Sequence, residues 1–494
     1  MASYDIPNFT NFLTRLNTSD TQEVKWKKSI TLQMRGRANP LYDYIGGIGE
    51  QRPILELVDF GKLDGQEIVL TMDRPLGGAG VQGSTTLIGS EEKEYHSNYR
   101  AKIGHFRHAV ATDKQTKEQT VIGSQWDQRC KKKLAEFFAW KMSSDILFEM
   151  EKRKHSNNTF YADGVTSRDS LKSANYLKLG DVSRAKSGLV SLQAEPFSVK
   201  KSNAGADIWR FTALGSQYSF DGMHQSNSYQ NLLSQAGERG DKNYLFAGGF
   251  PTWDNTWLHE WQVEDGTQIG PKACLGAPRA YLGAVIPSTA TTTAQTIKGG
   301  GTATFGALTA PLYFQNFSNA QYVGHEGEKI AADTTTMRYL AVVASDTGKI
   351  AIFSYQVNNG NQITQVLRLA ASTTGAIATT VGSMTYGSGV WTSSVVATEA
   401  LPVGSRIYEV NANGQPFVRT WVFGKHMMVT GWGSLDGGAR HGERIQQVED
   451  YGNVTGLGWR QIWGCRAVEN ADNVVNGYAI VESAYNPPGW PTIV

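Results

Sequence analysis

Apolar positions along this chain switch between two periods, and each switch marks a different element. From residue 124 to 152 they recur at steps of three and four: Trp126, Cys130, Leu134, Phe137, Phe138, Met142, Ile146 and Met150. That is one face of a helix. Lys131, Lys132, Lys133 and Glu136 fall off the stripe. Ser124 with Asp127 three residues on gives a start signal of the capping-box kind. A helix of this length runs roughly 43 Å.

Before it the period is two. Over 66–73, Ile68, Leu70 and Met72 alternate with polar positions apart from Val69, which predicts a strand. The stretch Arg74 to Gly83 is a loop by composition. Tyr95, Tyr99, Ala101 and Ile103 then share one parity, so 74–110 is expected to form a long exposed hairpin. Residues 1–60 show no period and read as an extended arm. After the helix, 338–357 reads as two strands around a Ser345-Asp346-Thr347-Gly348 turn, with another strand at 363–369. Residues 417–432 are apolar and broken by Gly424 and Gly431, and 441–484 is charged and strand-like. Trp253, Trp257 and Trp261 lie four apart, a spacing that would place them on one helical face.

Composition adds a domain signal. The chain has 494 residues, too many for one ordinary domain. Its first 155 residues hold 23 Lys/Arg and 20 Asp/Glu, whereas 285–415 holds only 12 charged residues. Leu369 to Thr398 has none. The middle therefore reads as a separate β-rich insertion. The formal net charge of +2 argues against a generally basic nucleic-acid binder. Cys130, Cys274 and Cys465 form no CxxC pair, which disfavours zinc ribbons and disulfide scaffolds. The N-terminus lacks the pattern of a signal peptide, and no long apolar run predicts a membrane helix. A cytoplasmic protein with no membrane partner is expected.

Candidate chemistry is thin. Gly78-Ala79-Gly80-Val81-Gln82-Gly83 fits G-x-G-x-x-G, but Ser84-Thr85-Thr86 is a poor helix start and no βαβ unit surrounds it. A flexible loop is the better reading. His105 and His108 point to opposite faces of a strand, and His96 shares parity with His108 alone, so a metal site is not supported. No hydrolase or P-loop motif occurs. Catalytic residues, cofactors and metals are therefore all expected to be none.

Order and residues together resemble a family. Gly65 to Met72, Leu76 to Gly83, Thr86 to Glu92 and Ile103 to Val110, followed by the helix from Gln125, are similar to the major capsid proteins of tailed bacteriophages, Schitovirus-type podophage head proteins among them. Gly424-Lys425-His426 and Gln447 to Gly464 are similar in style. The resemblance implies an α+β Hong Kong 97-type capsid fold. Residues 1–50 would be the N-terminal arm, 51–73 a peripheral strand region, 74–110 the extended loop and 111–155 the spine helix. Residues 156–284 and 416–440 would form the axial domain, and 441–494 the peripheral sheet and C-terminus. Residues 285–415 have no counterpart and would be an inserted all-β domain. It implies no enzymatic activity and assembly residues on the loop and helix: Arg74, Gly78, Gly80, Gly83, Glu91, Arg100, Arg107, Trp126, Phe137 and Phe138. It implies a homo-oligomeric shell of hexamers and pentamers, assembled in the host bacterial cytoplasm. Its partners would be a portal, scaffold and cement or decoration proteins, with packaged double-stranded DNA contacted non-specifically. The alternatives are a decoration or carbohydrate-binding adhesin protein using 285–415, and a hydrolase with dispersed carboxylates.

Overall fold

The computed structural model describes residues 41, 44–46, 52–60, 67–73, 80–84, 88, 91–93, 96–113, 126–153, 155–200, 207–231, 234, 251–261, 280–281, 303–305, 333–343, 350–357, 363–369, 379–380, 384–387, 390–393, 396–397, 406–411, 413–433, 443–449, 454–469 and 474–487. In chain order come β1 (Ile45–Gly46), β2 (Ile54–Phe60), β3 (Glu67–Asp73), β4 (His96–Lys102), β5 (Gly104–Asp113) and α1 (Trp126–Lys152). Then follow β6 (Thr159–Tyr161), α2 (Leu179–Ser191), β7 (Phe197–Lys200), β8 (Asp207–Ser216), α3 (Gln217–His224), β9 (Thr252–Trp253) and β10 (Thr256–Trp261). The middle supplies β11 (Ala280–Tyr281), β12 (Ala303–Phe305), β13 (Asp333–Val343), β14 (Ile350–Val357), β15 (Ile363–Leu369), β16 (Thr379–Thr380), β17 (Met384–Gly387), β18 (Val390–Ser393), β19 (Val396–Ala397) and β20 (Arg406–Val410). The chain closes with β21 (Phe417–Phe423), β22 (Met428–Gly433), β23 (Glu443–Glu449), β24 (Val454–Ala467) and β25 (Tyr478–Ala484).

Two sheets share α1 as their common core element. The six-stranded sheet runs β1-β2-β22-β24-β23, with β5 added on β24. Along β24, Leu457, Trp459, Trp463 and Cys465 share one parity and are buried with Leu134, Phe138 and Met142 of α1. The opposite parity is glycine-rich. At Gly464 a Cβ would come within 2.1 Å of the Lys102 carbonyl oxygen, so only glycine lets the β4–β5 junction lie there.

The seven-stranded sheet runs β6-β25-β21-β8-β10-β9, with β7 added on β8. It is covered on both faces. Trp421, Phe423, Tyr478 and Ile480 join the core around α1, while Phe211, Ala213, Val422 and Val481 pack under α2 and α3. The helix is thus wrapped rather than merely laid on a sheet. In its C-terminal half Lys141, Ser143, Asp145 and Glu149 are buried along with the apolar stripe.

An eight-stranded sheet, β11-β20-β13-β14-β15-β17-β18-β12, is built from residues 280–410, and β13 and β14 form the hairpin around 344–349. The predicted helix is present, and its cap residue Ser124 lies outside the described residues.

Three features differ from the sequence reading. Trp253, Trp257 and Trp261 are on β9 and β10, not on a helix: in β10 Trp257 and Trp261 share a strand face and are buried. A spacing of four satisfies the period of two as well as that of 3.6. The two-stranded ribbon spans 67–102, because β5 leaves it to pair with β24 from Val454 to Trp463. Phe106 and Val110 pack against the core, which draws β5 into the main sheet. Finally, β25 pairs with β21 and not with the sheet of β23 and β24.

Candidate assembly surface

The ribbon is regular. β3 and β4 pair antiparallel over seven positions, from Glu67 opposite Lys102 to Asp73 opposite His96, and no third strand joins them among the described residues. Val69 on β3 is 55% exposed and Ile88 beyond its tip is 84% exposed. Arg100, Lys102 and Glu91 are exposed. Gly80 and Gly83 hold φ of +66° and +72°, and a Cβ at either would meet nothing within 4 Å. Their glycine is used for backbone conformation, not for a close approach. Gly83 and Ser84 form a turn and not a helix start. Arg74 and Gly78 lie outside the described residues.

At its base the ribbon is tied down. Ala101 is 1% exposed, and the Lys102 carbonyl sits on Gly464. From there β5 carries Arg107, exposed, directly across from Arg460. Burial, then the charges of Arg460 and Arg107, hold the His105 imidazole below its ordinary range. His108 is also held down by burial, its ring stacked 4.1 Å from that of Phe137.

The helix residues named from the sequence divide. Phe138 is fully buried, with Phe137 and Trp126 packed on the same core and only partly covered. Phe106 stacks on Phe137 at 5.9 Å and meets Phe138 edge-on at 5.3 Å. These three hold the core, whereas Gly80, Gly83, Glu91, Arg100 and Arg107 lie on the surface.

Two constellations had no sequence signal. The last turn of α1 is an ionic junction between both sheets. On one side Glu149 accepts from the Ala467 amide at 3.3 Å and pairs with Arg153 at 3.2 Å, while Arg153 and Arg466 both reach Glu469. On the other, Arg419 lies 3.2 Å from Glu151 and 3.5 Å from Glu482, and Arg168 grips Glu482 through two donors at 2.8 and 2.6 Å. Both chains alternate in sign and balance. The second constellation holds Tyr44, just ahead of β1: it is buried against Phe197 and Phe423, its hydroxyl 2.7 Å from His259 Nδ1. Burial lowers the His259 pKa to about 4.

Among the described residues no group of three or more His, Cys, Asp or Glu is placed to hold a metal ion, and no helix is long and apolar enough to cross a membrane. Cys130 and Cys465 are buried and in no disulfide, and Cys274 lies outside the described residues.

Residues 15–167, which include the ribbon, β5 and α1, match the family model described as phage capsid protein. No curated protein matches the chain in sequence. Among solved structures, the capsid of Ralstonia phage GP4 is similar at 13% identity over 90% of each chain, with a TM-score of 0.52. The Cyanophage Pam1 capsid asymmetric unit is similar at 11% identity over 91% of this chain and 92% of that one, with a TM-score of 0.49. The family match supports a tailed-phage major capsid protein that forms the head shell. The likeness to the Ralstonia phage capsid supports an α+β, Hong Kong 97-like fold.

Proposed function

We propose that this chain acts as a purely structural, non-enzymatic subunit that closes into hexamers and pentamers around a double-stranded DNA genome in the bacterial cytoplasm. One observation carries the reading: a two-stranded ribbon projects from the sheet built on α1 and ends in a loop bearing an 84% exposed Ile88. An isolated two-stranded ribbon is marginal in water. Ordering its residues costs about 1 kcal/mol or more each. Packing on a neighbouring copy offsets that cost, and head-to-tail contacts of this kind close into rings. In this reading Gly80, Gly83, Glu91, Arg100 and Arg107 lie along the contact, together with Arg74 and Gly78. Trp126, Phe137 and Phe138 keep the spine helix in place behind it. The eight-stranded sheet of 280–410 is an added domain, and portal, scaffold and cement proteins are the further partners.

Expression with the phage's assembly partners, followed by sizing and negative-stain microscopy, tests this. Closed shells are expected, along with folded but unassembled subunits when 80–93 is replaced by a short Gly/Ser turn. Monomers alone from the intact chain, partners present, would sink the reading.

A further inference from the structure

The chain leaves the seven-stranded sheet at Trp261 and re-enters it at Phe417. Both points lie at one end of that sheet. Trp261 is opposite Ser216 in the parallel β8–β10 pair, and Trp421 is opposite Leu214 in the antiparallel β8–β21 pair. The eight-stranded sheet lies between them in sequence. Units joined in this way ordinarily move relative to one another. The return connection is built against such motion.

Val410, the last residue of β20, pairs with Tyr339 of β13 in the added sheet and bridges to Pro416 just ahead of β21. Residues 411–415 turn the chain between them, and Asn411 closes the turn. Its amide donates to the Gln415 carbonyl, and its carbonyl accepts from the Gly414 amide, each at 2.9 Å. Its Oδ1 accepts from the Asn413 and Gln415 amides at 3.0 and 2.9 Å. Gly414 holds φ +82°, which glycine adopts without strain. The Asn411 Nδ2 group points outward instead, donating to the Arg168 and Leu171 carbonyls at 3.1 and 2.8 Å. Every donor and acceptor position of that side chain is therefore used, and the residue is 1% exposed.

Gln415, also buried, donates through Nε2 to the Tyr485 carbonyl at 2.8 Å and to Asn486 Oδ1 at 3.0 Å, and accepts from the Ser173 hydroxyl at 2.7 Å. Asn413 adds an exposed bond to the Asp169 carbonyl at 2.8 Å. The 168–173 segment is itself fastened to the body. Arg168 binds Glu482 of β25 and lies 4.5 Å over the Phe417 ring of β21, and Asn486 holds the Ser173 carbonyl at 3.0 Å.

We propose that the 411–415 turn and the 168–173 segment form a clamp that holds the added sheet at one fixed angle to the body, with Asn411 as its positioning residue. The argument needs neither shell assembly nor DNA. Asn411, Gln415 and Ser173 leave no buried polar atom without a partner. A satisfied buried network of this kind specifies one arrangement. Swinging at the turn would strand its amides and carbonyls away from water, which costs more than the bonds contribute when made. The added sheet thereby becomes part of the subunit's shape, and a contact it makes is repeated from copy to copy, as closed symmetry requires.

The test uses the full chain carrying Cys274→Ser, since Cys130 and Cys465 are buried. Nitroxides are placed through Val190→Cys, on the exposed side of α2, and Gln356→Cys, on β14 of the added sheet. Pulsed electron paramagnetic resonance then reads the width of the distance distribution. A control pair, Val190→Cys with Lys132→Cys, lies wholly on the body. The parent should give one narrow distribution. Asn411→Asp keeps the acceptor bonds that shape the turn and loses the donor bonds to 168–171. It should broaden the distribution by about twofold or more, the freedom ordinary between units, and leave the control pair narrow. Asn413→Ala removes only the exposed bond to Asp169 and should broaden it less. A broad distribution in the parent overturns the proposal, as does an Asn411→Asp chain as narrow as the parent. Equal broadening of the control pair overturns it too, because the residue would then act on the whole fold. If Asn411→Asp does not fold, Asn413→Ala decides, and no broadening there overturns the clamp.

Discussion

The two sheets that enclose α1 both meet its last turn with charge, β24 through Arg466 on Glu149 and β21 through Arg419 on Glu151, but they differ in how deeply that charge is buried. The six-stranded sheet offers Trp432, Trp459 and Trp463, all buried, against Leu134, Phe138 and Met142. Along these side chains the contact is held by area and shape, neither of which is strongly directional, and charge enters it only where Glu149 meets Ala467 and Arg466. The seven-stranded sheet starts the same way, with Trp421 and Tyr478, but at one end its α1-facing row turns to charge. Arg419 and Glu482 are register partners, and both are buried. A buried ion pair is weak evidence for stability, yet removing one partner is costly. The first contact tolerates adjustment, while the second fixes how the helix end sits between the sheets.

The largest effect should come from breaking the charged contact. Arg419→Met removes the group that joins Glu151 to Glu482. It should cost about 3–5 kcal/mol, because carboxylates are left buried without it. Urea unfolding of the subunit measures this. If Trp459→Phe, a conservative change in the aromatic contact, cost as much, the distinction between the two sheets would collapse.

Next in size is a change at the base of the ribbon. Gly464→Ala would press a methyl group onto the Lys102 carbonyl. Overpacking of this kind costs about 1–3 kcal/mol. Because β4 and β5 must shift to admit it, proteolysis of the ribbon should speed up more than global unfolding does. Equal acceleration of both would show that Gly464 does not act at the junction.

How far the sequence revealed these contacts follows from their range. The α1 stripe and the β3 alternation were legible because period is a local property. So was the low-charge middle, which is strand-rich. The second sheet was not legible. Arg419 on β21 and Glu482 on β25 are 63 residues apart in sequence, and a charged residue inside a strand reads as solvent-facing. Only the pairing of β21 with β25 beneath the end of α1 explains their burial. The tryptophans of β9 and β10 misled for a related reason: a four-residue step fits both periods. Among the residues the resemblance named, Phe138 declared its burial in the core by its row. By contrast, nothing local distinguishes the His108–Phe137 stack, which depends on β5 leaving the ribbon for β24.

The Tyr44–His259 contact gives a smaller effect, with a sign set by pH. Tyr44→Phe should cost about 1 kcal/mol through loss of one hydrogen bond. His259 titrates near 4 in the fold and near 6.5 when exposed. Between those values the unfolded chain binds the proton and the folded one does not. Stability should therefore fall as pH drops from about 6.5 towards 4, then level off below. His105, His108 and His426 are also depressed and act in the same direction. The decisive measurement is accordingly a difference: the urea midpoint of wild type minus that of His259→Gln across this range. A difference that stays flat would remove His259 from the account.

The smallest effect separates burial from spacing on a single helix. Lys132–Glu136 and Lys141–Asp145 are both i,i+4 pairs on α1. The first pair has side chains 72% and 57% exposed, the second 6% and 0%. Exposed pairs of this kind contribute about 0.3–0.5 kcal/mol, because water screens them and both side chains stay free to move. Lys132→Ala should thus shift the urea midpoint barely beyond error, in either direction, since alanine also favours the helix. Lys141→Ala instead removes a buried partner of Asp145 and should cost several times more than Lys132→Ala. If the two lysine substitutions cost the same, it is helical spacing and not enclosure by the sheets that sets the strength of charge on this helix.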